Sequence, residues 1–399
     1  LFSNLPEAKQ TVDIQPMEQF NQGWGTILYR TTLPETTLAG TTLKITEVHD
    51  WAQIYADGKL LARLDRRKGE FTTTLPALKK GIQLDILVEA MGRVNFDKSI
   101  HDRKGITEKV ELISGNQTKE LKNWTVYNFP VDYSFIKDKK YNDTKILPAM
   151  PAYYKSTFKL DKVGDTFLDM STWGKGMVWV NGHAMGRFWE IGPQQTLFMP
   201  GCWLKEGENE ILVLDLKGPA KASIKGLKKP ILDVLREKAP ETHRKDGEKL
   251  KLTGEKVTHE GAFTPGNGWQ EVRFATPVKG RYFCLEALSP QANDNIAAIA
   301  EFDVLGADSK PVSREHWKIR YADSEETRSG NRTADKIFDL QESTFWMTVD
   351  NVPYPHQLVI DLSKVENVTG FRYLPRAEKG YPGMIKEYRV YVKPADFNY

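Results

Sequence analysis

VWVNGHAMGR at residues 178–187 repeats the pattern of IYADGKLLAR at residues 54–63, and these two segments decide the fold. An Asn-Gly pair at 181–182 and an Asp-Gly pair at 57–58 occupy the same place in each segment. Such pairs favour two-residue type I′ turns, because both central residues of that turn need positive φ. Since β-forming residues precede each pair, each segment is predicted to be a tight hairpin.

The similarity extends to both sides of the hairpins, at offsets of 124 to 126 residues. The further matches are YRTTL at 29–33 with YKSTF at 154–158, LKKG at 78–81 with LKEG at 204–207, and ILVE at 86–89 with LVLD at 212–215. Several matches in one order at nearly one offset indicate an internal repeat. We infer that the chain holds two copies of one β-domain.

Composition limits the possible classes of function. The 399 residues carry a net charge of only +3, with charges of both signs mixed along the chain. This distribution offers no basic surface for nucleic acid and none for an anionic membrane. No apolar run approaches the roughly 20 residues of a membrane-spanning helix. We therefore expect neither nucleic acid nor a membrane span.

Short alternating segments separated by turn residues predict an all-β chain of three consecutive antiparallel jelly-roll or β-sandwich domains. The predicted boundaries are a lead-in at 1–22, a first domain at 23–120, a second at 121–234, a linker at 235–256 and a third domain at 257–399. The linker is highly charged and has no apolar face, so a solvated surface helix remains an alternative there.

The second copy closely resembles the C-terminal β-domains of family-thirty-five glycoside hydrolases, the β-galactosidases. The residues that carry this resemblance are GKGMVWVNGH at 174–183, GRFW at 186–189 and IGPQQTL at 191–197. The resemblance covers about residues 1–235 and implies galactose-binding-type jelly rolls. It also implies that a catalytic barrel precedes the lead-in, and that the protein is periplasmic or extracellular.

The family's chemistry requires a (β/α)₈ barrel and, for a retaining mechanism, two carboxylates about 5–5.5 Å apart. The sequence shows no alternation of strands and helices that would build such a barrel. Asn209-Glu210 copies the family's Asn-Glu acid motif, but it precedes a predicted strand in a charged turn, so we transfer no catalytic residue. The parent polypeptide is expected to be a retaining β-galactosidase, and this chain lacks the barrel and both catalytic glutamates.

The third domain resembles discoidin-type carbohydrate-binding modules, which are similar to coagulation-factor C domains. The residues involved are DLQESTFW at 339–346, LVIDL at 358–362, VTGFRYLPR at 368–376 and IKEYRVYV at 385–392. The final strands of such modules occur earlier here, as GRYFCL at 280–285 and IAEFDV at 299–304. We therefore expect one circularly permuted module, since domain termini commonly lie close together. Two half-modules are the alternative.

The discoidin resemblance implies one structural Ca²⁺, with Asp339, Thr344 and Glu301 as side-chain ligands. Leu340 stands where the family often has glycine, and positive φ would strain a branched residue there. A metal-free capped turn is the alternative.

Loop residues of the third domain are candidates for carbohydrate binding, because aromatic rings can stack on sugars and polar side chains can form hydrogen bonds with sugar hydroxyls. They are Tyr354, His356, Arg376 and Tyr381, in turns rich in proline and glycine. Ordinary surface exposure or packing between domains remains the alternative for them. Trp346 is expected in the core.

These expectations lead to one principal hypothesis. The chain would be the non-catalytic C-terminal region of a β-galactosidase-type glycoside hydrolase, with the upstream barrel as its partner and a galactoside or galactose-containing glycan as its ligand. A stand-alone lectin-like protein and a purely structural β-sandwich protein are the alternatives.

Overall fold

β-Strands form the framework of the chain, and the described helices are only three to five residues long. The computed structural model describes residues 1–96, 100–142, 150–238, 242–244, 249–377 and 382–399. The helical turns with defined ends are Met17–Phe20, Arg66–Lys68, Tyr133–Ile136, Gly201–Trp203 and Ala334–Phe338. None of the described helices is long and apolar enough to span a membrane. The prediction of an all-β chain with antiparallel sheets is confirmed.

The first ten strands build two sheets. Their bounds are Ala8–Thr11 (β1), Gly25–Thr32 (β2), Thr42–His49 (β3), Trp51–Ala56 (β4), Lys59–Asp65 (β5), Thr72–Thr74 (β6), Gln83–Ala90 (β7), Gly105–Ser114 (β8), Gln117–Glu120 (β9) and Trp124–Phe129 (β10). One sheet has the order β1-β10-β2-β7-β4-β5, and the other has the order β6-β3-β8-β9. Both sheets contribute fully buried side chains, such as Ile54 and Leu43, to the core.

The next seven strands form a second pair of sheets. Their bounds are Ala152–Leu160 (β11), Thr166–Asp169 (β12), Lys175–Val180 (β13), His183–Trp189 (β14), Thr196–Met199 (β15), Gly207–Asp215 (β16) and Lys225–Leu227 (β17). The sheet orders are β11-β16-β13-β14 and β15-β12-β17. Val178 and Val213 of one sheet and Leu197 of the other belong to one buried apolar cluster.

The last eight strands form the third β-domain. Their bounds are His259–Ala262 (β18), Gln270–Ala287 (β19), Ala298–Ile299 (β20), Glu301–Leu305 (β21), Lys318–Ala322 (β22), Trp346–Met347 (β23), His356–Leu374 (β24) and Glu387–Lys393 (β25). The main sheet has the order β18-β25-β19-β24-β21, and β22 also pairs with β24. Trp346 is buried and its Nε1 donates to the Ser324 carbonyl at 3.0 Å, so the core assignment of Trp346 is confirmed.

The chain divides into two compact units. One comprises residues 1–9, 20–28 and 126–238, and the other comprises residues 10–19, 29–125 and 239–399. The third β-domain therefore belongs to the same unit as most of the first, whereas the sequence patterns treat the two as separate domains.

Both predicted hairpins are present. Asp57 and Gly58 have φ of 44° and 76°, and Asn181 and Gly182 have φ of 49° and 85°. The register of β4 with β5 shifts between Ile54 and Tyr55, and that of β13 with β14 shifts between Val178 and Trp179. The two copies therefore share the type of turn and also the position of the irregularity beside it.

In the strand that pairs with each hairpin, the residue equivalent by strand pairing is shifted by one position from the residue equivalent by sequence alignment. Ile54 pairs with Ile86 and Val178 pairs with Val213, whereas sequence similarity aligns Ile86 with Leu212. A one-residue slip within a sheet would turn every side chain to the opposite face. The paired residue comes five positions after Gly81 in the first copy and six positions after Gly207 in the second, so the second copy has one more residue in this interval.

Strand pairing joins the early and late segments of the third domain. Phe283 of β19 pairs with Ile360 of β24 and with Val392 of β25. Glu301 of β21 pairs with Leu374 of β24. One sheet therefore contains both segments, which is the pairing expected of a single module rather than two half-modules. The permuted strand order relative to other discoidin modules stays a prediction.

Two boundaries drawn from the sequence need correction. β10 lies between β1 and β2, so the first sheet continues past residue 120. Trp124 of β10 is fully buried, which explains the aromatic character of this segment.

In the predicted linker, Leu250 is buried, and its N–H donates to Oε1 of Gln357 at 2.7 Å. Hydrophobic contact and this hydrogen bond tie the end of the linker to the third domain.

Candidate functional site

The predicted sugar-binding residue His356 is buried at the start of β24. Its Nδ1 lies 2.8 Å from Oδ2 of Asp323, and its Nε2 lies 2.7 Å from the Asn295 carbonyl. Burial raises the pKa of Asp323, but His356 and Lys249 lower it by more, so this carboxyl titrates below its usual range. Since an imidazole held from both sides inside the domain cannot reach a dissolved ligand, we correct the assignment of His356.

The other predicted sugar-binding residues do not form one open surface in the described part of the domain. The Tyr354 hydroxyl donates to the Ile296 carbonyl at 2.7 Å, and its ring packs against the main hydrophobic cluster. Burial raises the pKa of that hydroxyl. The half-buried Arg376 places its guanidinium 4.4 Å from the ring centre of Phe345. Tyr381 lies outside the described residues. Tyr354 is therefore a packing residue, which corrects its assignment.

The loop of the predicted calcium site turns at Leu340 and is held by hydrogen bonds to Asp339. Leu340 has φ of 65°, the strained conformation that glycine adopts more readily. The Thr344 hydroxyl donates to Oδ2 of Asp339 at 2.8 Å, and the Gln341 N–H donates to Oδ1 of Asp339 at 3.0 Å. Burial raises the pKa of Asp339 to about 6, against the lowering effect of Lys336 and these hydrogen bonds.

Two cationic side chains form ion pairs with the carboxylates that were expected to bind calcium. The buried Lys336 ammonium lies 3.8 Å from Oδ2 of Asp339. Oε2 of Glu301 accepts a hydrogen bond from Nη1 of Arg314. Burial raises the pKa of Glu301 to about 8, although attraction to Arg314 lowers it in part. Because an ion bound among these carboxylates would face an ammonium and a guanidinium, the side chains as arranged do not fit Ca²⁺.

The Asn209-Glu210 pair is a structural element of the second β-domain. Asn209 is fully buried, and its Oδ1 accepts from the Nδ2 group of Asn181 at 2.8 Å. The Glu210 carboxylate binds Nζ of Lys155 at 2.7 Å and the Tyr133 hydroxyl at 2.8 Å. Burial raises the pKa of Glu210, but these two partners lower it by more. A general acid of a glycosidase needs a raised pKa, so Glu210 is unsuited to that role.

The described residues form a cleft of about 830 Å³ within the second compact unit. One wall consists of side chains from β3, β6 and β8, including Lys44 and Glu111. The other wall belongs to the third domain and includes Trp269, Glu301 and Arg314. Two β-domains thus contribute to one concave, largely polar surface.

Trp269 places an indole ring in the wall of this cleft. Its residue surface is 36% exposed, which is high for a tryptophan. The Arg372 guanidinium lies 4.7 Å from the centre of the ring, and Nε1 of Trp269 donates to Oε1 of Glu342 at 3.3 Å. These contacts fix the orientation of a ring that remains accessible.

The polar floor of the cleft is an ion-pair network. Nη2 of Arg314 lies 2.6 Å from Oδ1 of Asp303, and Nε of Arg372 lies 2.9 Å from Oδ2 of Asp303. Glu301 completes the network through Arg314, and Glu301 is only 2% exposed. Its second oxygen, Oε1, is buried and has no hydrogen-bond partner among the described residues. The cleft therefore offers an aromatic surface, a fixed guanidinium and a buried acceptor.

Of the residues that line the cleft, Glu301, Asp339 and Leu340 belong to the predicted calcium site, and the sequence patterns did not indicate the others. Trp269 follows Pro265-Gly266-Asn267-Gly268, a turn-forming run, so an exposed tryptophan could have been suspected there. Asp303 and Arg314 carried no local signal, because their pairing depends on how the third domain folds.

Comparison with known proteins identifies the domains. Residues 15–131 match the family model described as "Beta-galactosidase, first all-beta domain", and residues 151–209 match "Beta-galactosidase, galactose-binding domain". Residues 321–399 match "F5/8 type C domain". The chain thus carries non-catalytic β-domains of the β-galactosidase type followed by a discoidin-type domain, which confirms both resemblances.

Curated relatives agree with these matches. "Beta-galactosidase-1-like protein 2" of Homo sapiens is 33% identical over 206 residues, which cover 50% of this chain and 31% of that protein. "Beta-galactosidase" of Xanthomonas manihotis is 34% identical over 200 residues, which cover 50% of this chain and 32% of that protein. The matched part of the chain spans about a third of the length of these relatives.

Among solved structures, the chain is similar to "Pleurotus Ostreatus Lectin (POL), apo form". The TM-score is 0.19 and the identity is 10%, over 56% of this chain and 84% of that chain. A similarity this distant carries no argument about function.

Proposed function

We propose that this chain, whose first two β-domains are of the β-galactosidase type and whose third is of the F5/8 C type, is the non-catalytic C-terminal region of a β-galactosidase-type glycoside hydrolase. The observation that carries the proposal is the order of two family matches, at residues 15–131 and 151–209. The curated relatives are about three times as long as the matched region, which leaves room for a barrel of ~250 residues or more.

The role of these domains would be to support the barrel rather than to perform hydrolysis. Retaining hydrolysis needs one carboxyl group as nucleophile and another as acid and base, about 5–5.5 Å apart. The described sheets are antiparallel, and the Asn-Glu pair that imitates the family's acid motif is engaged in structural contacts. The reacting pair is therefore expected in the upstream polypeptide.

A chromogenic β-galactoside tests this assignment. We would compare the 399-residue chain with a polypeptide extended toward its amino terminus by the sequence that precedes Leu1 in its gene. The extended polypeptide should hydrolyse the substrate, and the 399-residue chain should not. Turnover by the shorter chain, or an extended polypeptide that folds but is inactive, would contradict the proposal.

Glycan binding is the second part of the proposed function. The match of residues 321–399 to a discoidin-type domain supports it, and so does a cleft with an accessible tryptophan. The ligand class would be a galactoside or a galactose-containing glycan. A glycan array probed with the 399-residue chain tests this part, and a purely structural role would leave every glycan unbound.

A periplasmic or extracellular location is part of this proposal, since the resemblance to β-galactosidases implies it. Cell fractionation followed by immunoblotting would test the location. Recovery of the protein in the cytoplasmic fraction alone would contradict it.

A further inference from the structure

The cleft between β3, β6 and β8 on one side and the third domain on the other carries the inference. We infer that this cleft, rather than the predicted loop residues, binds a neutral saccharide, with Trp269 as the stacking surface and with Glu301 and Arg314 as hydroxyl-reading groups. The inference rests on the proposed glycan-binding function and assigns it to a composite site that needs both β-domains.

The size of the cleft suits a small saccharide. Small-molecule sites commonly enclose about 300–1,000 Å³, and this cleft measures about 830 Å³. Its two walls come from segments more than 150 residues apart, such as Thr42 and Trp269. A ligand seated there would contact both domains, so neither domain alone would hold it with the same affinity.

The indole ring of Trp269 is held in a fixed orientation in which a sugar can stack on it. An indole ring presents a large apolar face to the C–H surface of a pyranose while its polar edge stays hydrogen-bonded. In Trp269 that edge already donates to Glu342, and the Arg372 guanidinium restrains the ring. A ring held in place before binding loses little conformational freedom when a ligand arrives.

The buried oxygen of Glu301 supplies the second, independent observation. Glu301 is 2% exposed and lines the cleft, yet its Oε1 has no partner in the described part of the chain. A buried acceptor without a donor is unfavourable. A sugar hydroxyl is a donor of suitable size for this oxygen. The guanidinium of Arg314, which is fixed by Asp303, lies beside the Glu301 carboxyl and can donate to a second hydroxyl.

The charge of the cleft selects against acidic sugars. Carboxyl side chains outnumber lysine and arginine side chains six to four among its lining residues when Glu301, whose pKa is raised to about 8, is counted as neutral. A uronate or a sulfated sugar would meet like charges, whereas a neutral hexose would not. The expected ligands are therefore neutral galactosides, and anionic sugars should be discriminated against.

Binding measurements on the 399-residue chain test the inference. Isothermal titration with methyl β-galactoside and lactose should give dissociation constants of about 1 mM, and glucuronate should bind at least tenfold more weakly. Trp269→Ala should weaken lactose binding at least tenfold, and Trp269→Phe should restore part of it. Glu301→Gln should weaken binding about threefold or more, because the amide oxygen will accept from Arg314 and the NH₂ group will then stand where Oε1 accepted from the ligand.

Matched variants outside the cleft control for general effects. Trp24 is 43% exposed and Glu271 is exposed in an ion pair with Arg273, and neither lines the cleft. Trp24→Ala and Glu271→Gln should leave the affinity unchanged. Thermal melting shows whether each variant is folded.

Two outcomes overturn the inference. One is the absence of binding of any neutral saccharide up to about 50 mM, and the other is binding that the folded Trp269→Ala variant retains in full. Hydrolysis by the unsubstituted extended polypeptide is measured separately. Saccharide binding that the folded Trp269→Ala variant retains defeats only this inference, whereas the absence of all saccharide binding also defeats the proposed glycan binding. Cleft binding without hydrolysis defeats only the proposed β-galactosidase role.

Discussion

The ammonium nitrogen of Lys104 lies 2.7 Å from Oδ2 of Asp50, and the lysine side chain is fully buried. The same nitrogen lies 2.8 Å from Oδ2 of Asp102. Nη1 of Arg66 lies 2.7 Å from Oδ1 of each carboxylate. Two cations and two carboxylates thus form a closed network, in which each charge depends on its partners for compensation.

Replacing Lys104 by methionine should destabilise the first β-domain by about 3–5 kcal/mol, because two buried carboxylates would then share one guanidinium. Hydrogen exchange of the amides in β3 and β4 measures the change locally, which suits a chain of two compact units. Lys119→Met removes an exposed ion pair with Glu35 and should cost less than about 1 kcal/mol. Equal effects of the two substitutions would contradict the importance of burial.

Acid should destabilise the first domain through Asp102. Burial raises the pKa of this carboxyl, but Lys104, the Val94 N–H and Arg66 lower it by more, to about 2 from 3.8. A pKa that is lower in the folded state contributes stability above pH 4, and this contribution, about 2 kcal/mol, disappears as the pH falls toward 2.

The unfolding free energy measured from pH 6 to pH 2 tests this contribution. Asp102→Asn should flatten the pH dependence in the acid range, because the substituted side chain no longer titrates. Asp308→Asn alters an exposed carboxyl and should leave the slope unchanged. An identical slope in Asp102→Asn and the unsubstituted chain would show that this carboxyl is not responsible.

Gly176 should tolerate no side chain. A Cβ atom there would lie 1.8 Å from the carbonyl oxygen of Leu214, where β13 pairs with β16. Gly176→Ala should therefore cost more than about 2 kcal/mol. A Cβ atom at Gly164 would meet nothing within 4 Å, so Gly164→Ala should be neutral or slightly stabilising. Denaturant unfolding of the second domain compares the two variants, and similar losses would contradict this packing.

Calcium should have little effect on the third domain. Lys336 and Arg314 already compensate the carboxylates of Asp339 and Glu301. A chelator, or millimolar Ca²⁺, should therefore shift the melting temperature by less than about 1 °C, with Mg²⁺ as the control ion. Stabilisation by several degrees with Ca²⁺ alone would support the family-implied site of Asp339, Thr344 and Glu301.

The candidate site shows where sequence reasoning succeeds and where it fails. The loop at Asp339 depends on features close together in the sequence, namely the positive φ of Leu340 and the hydrogen bond from Thr344 to Asp339. His356, predicted as a carbohydrate-binding residue, is buried instead. Its partner Asp323 lies 33 residues away in the sequence, and no local pattern indicates that a histidine in a turn-rich segment will be buried.

The sequence by itself determined the two hairpins, the repeat and the all-β class, since turn geometry and strand alternation act between residues that are neighbours in the chain. Only the tertiary structure decided which polar side chains face a cleft and which are buried. Trp269 and Glu301 line the same cleft as Lys44, although more than 200 residues separate them from Lys44 in the sequence. Burial depends on how distant strands pack, and that packing sets both the accessibility and the pKa of each group.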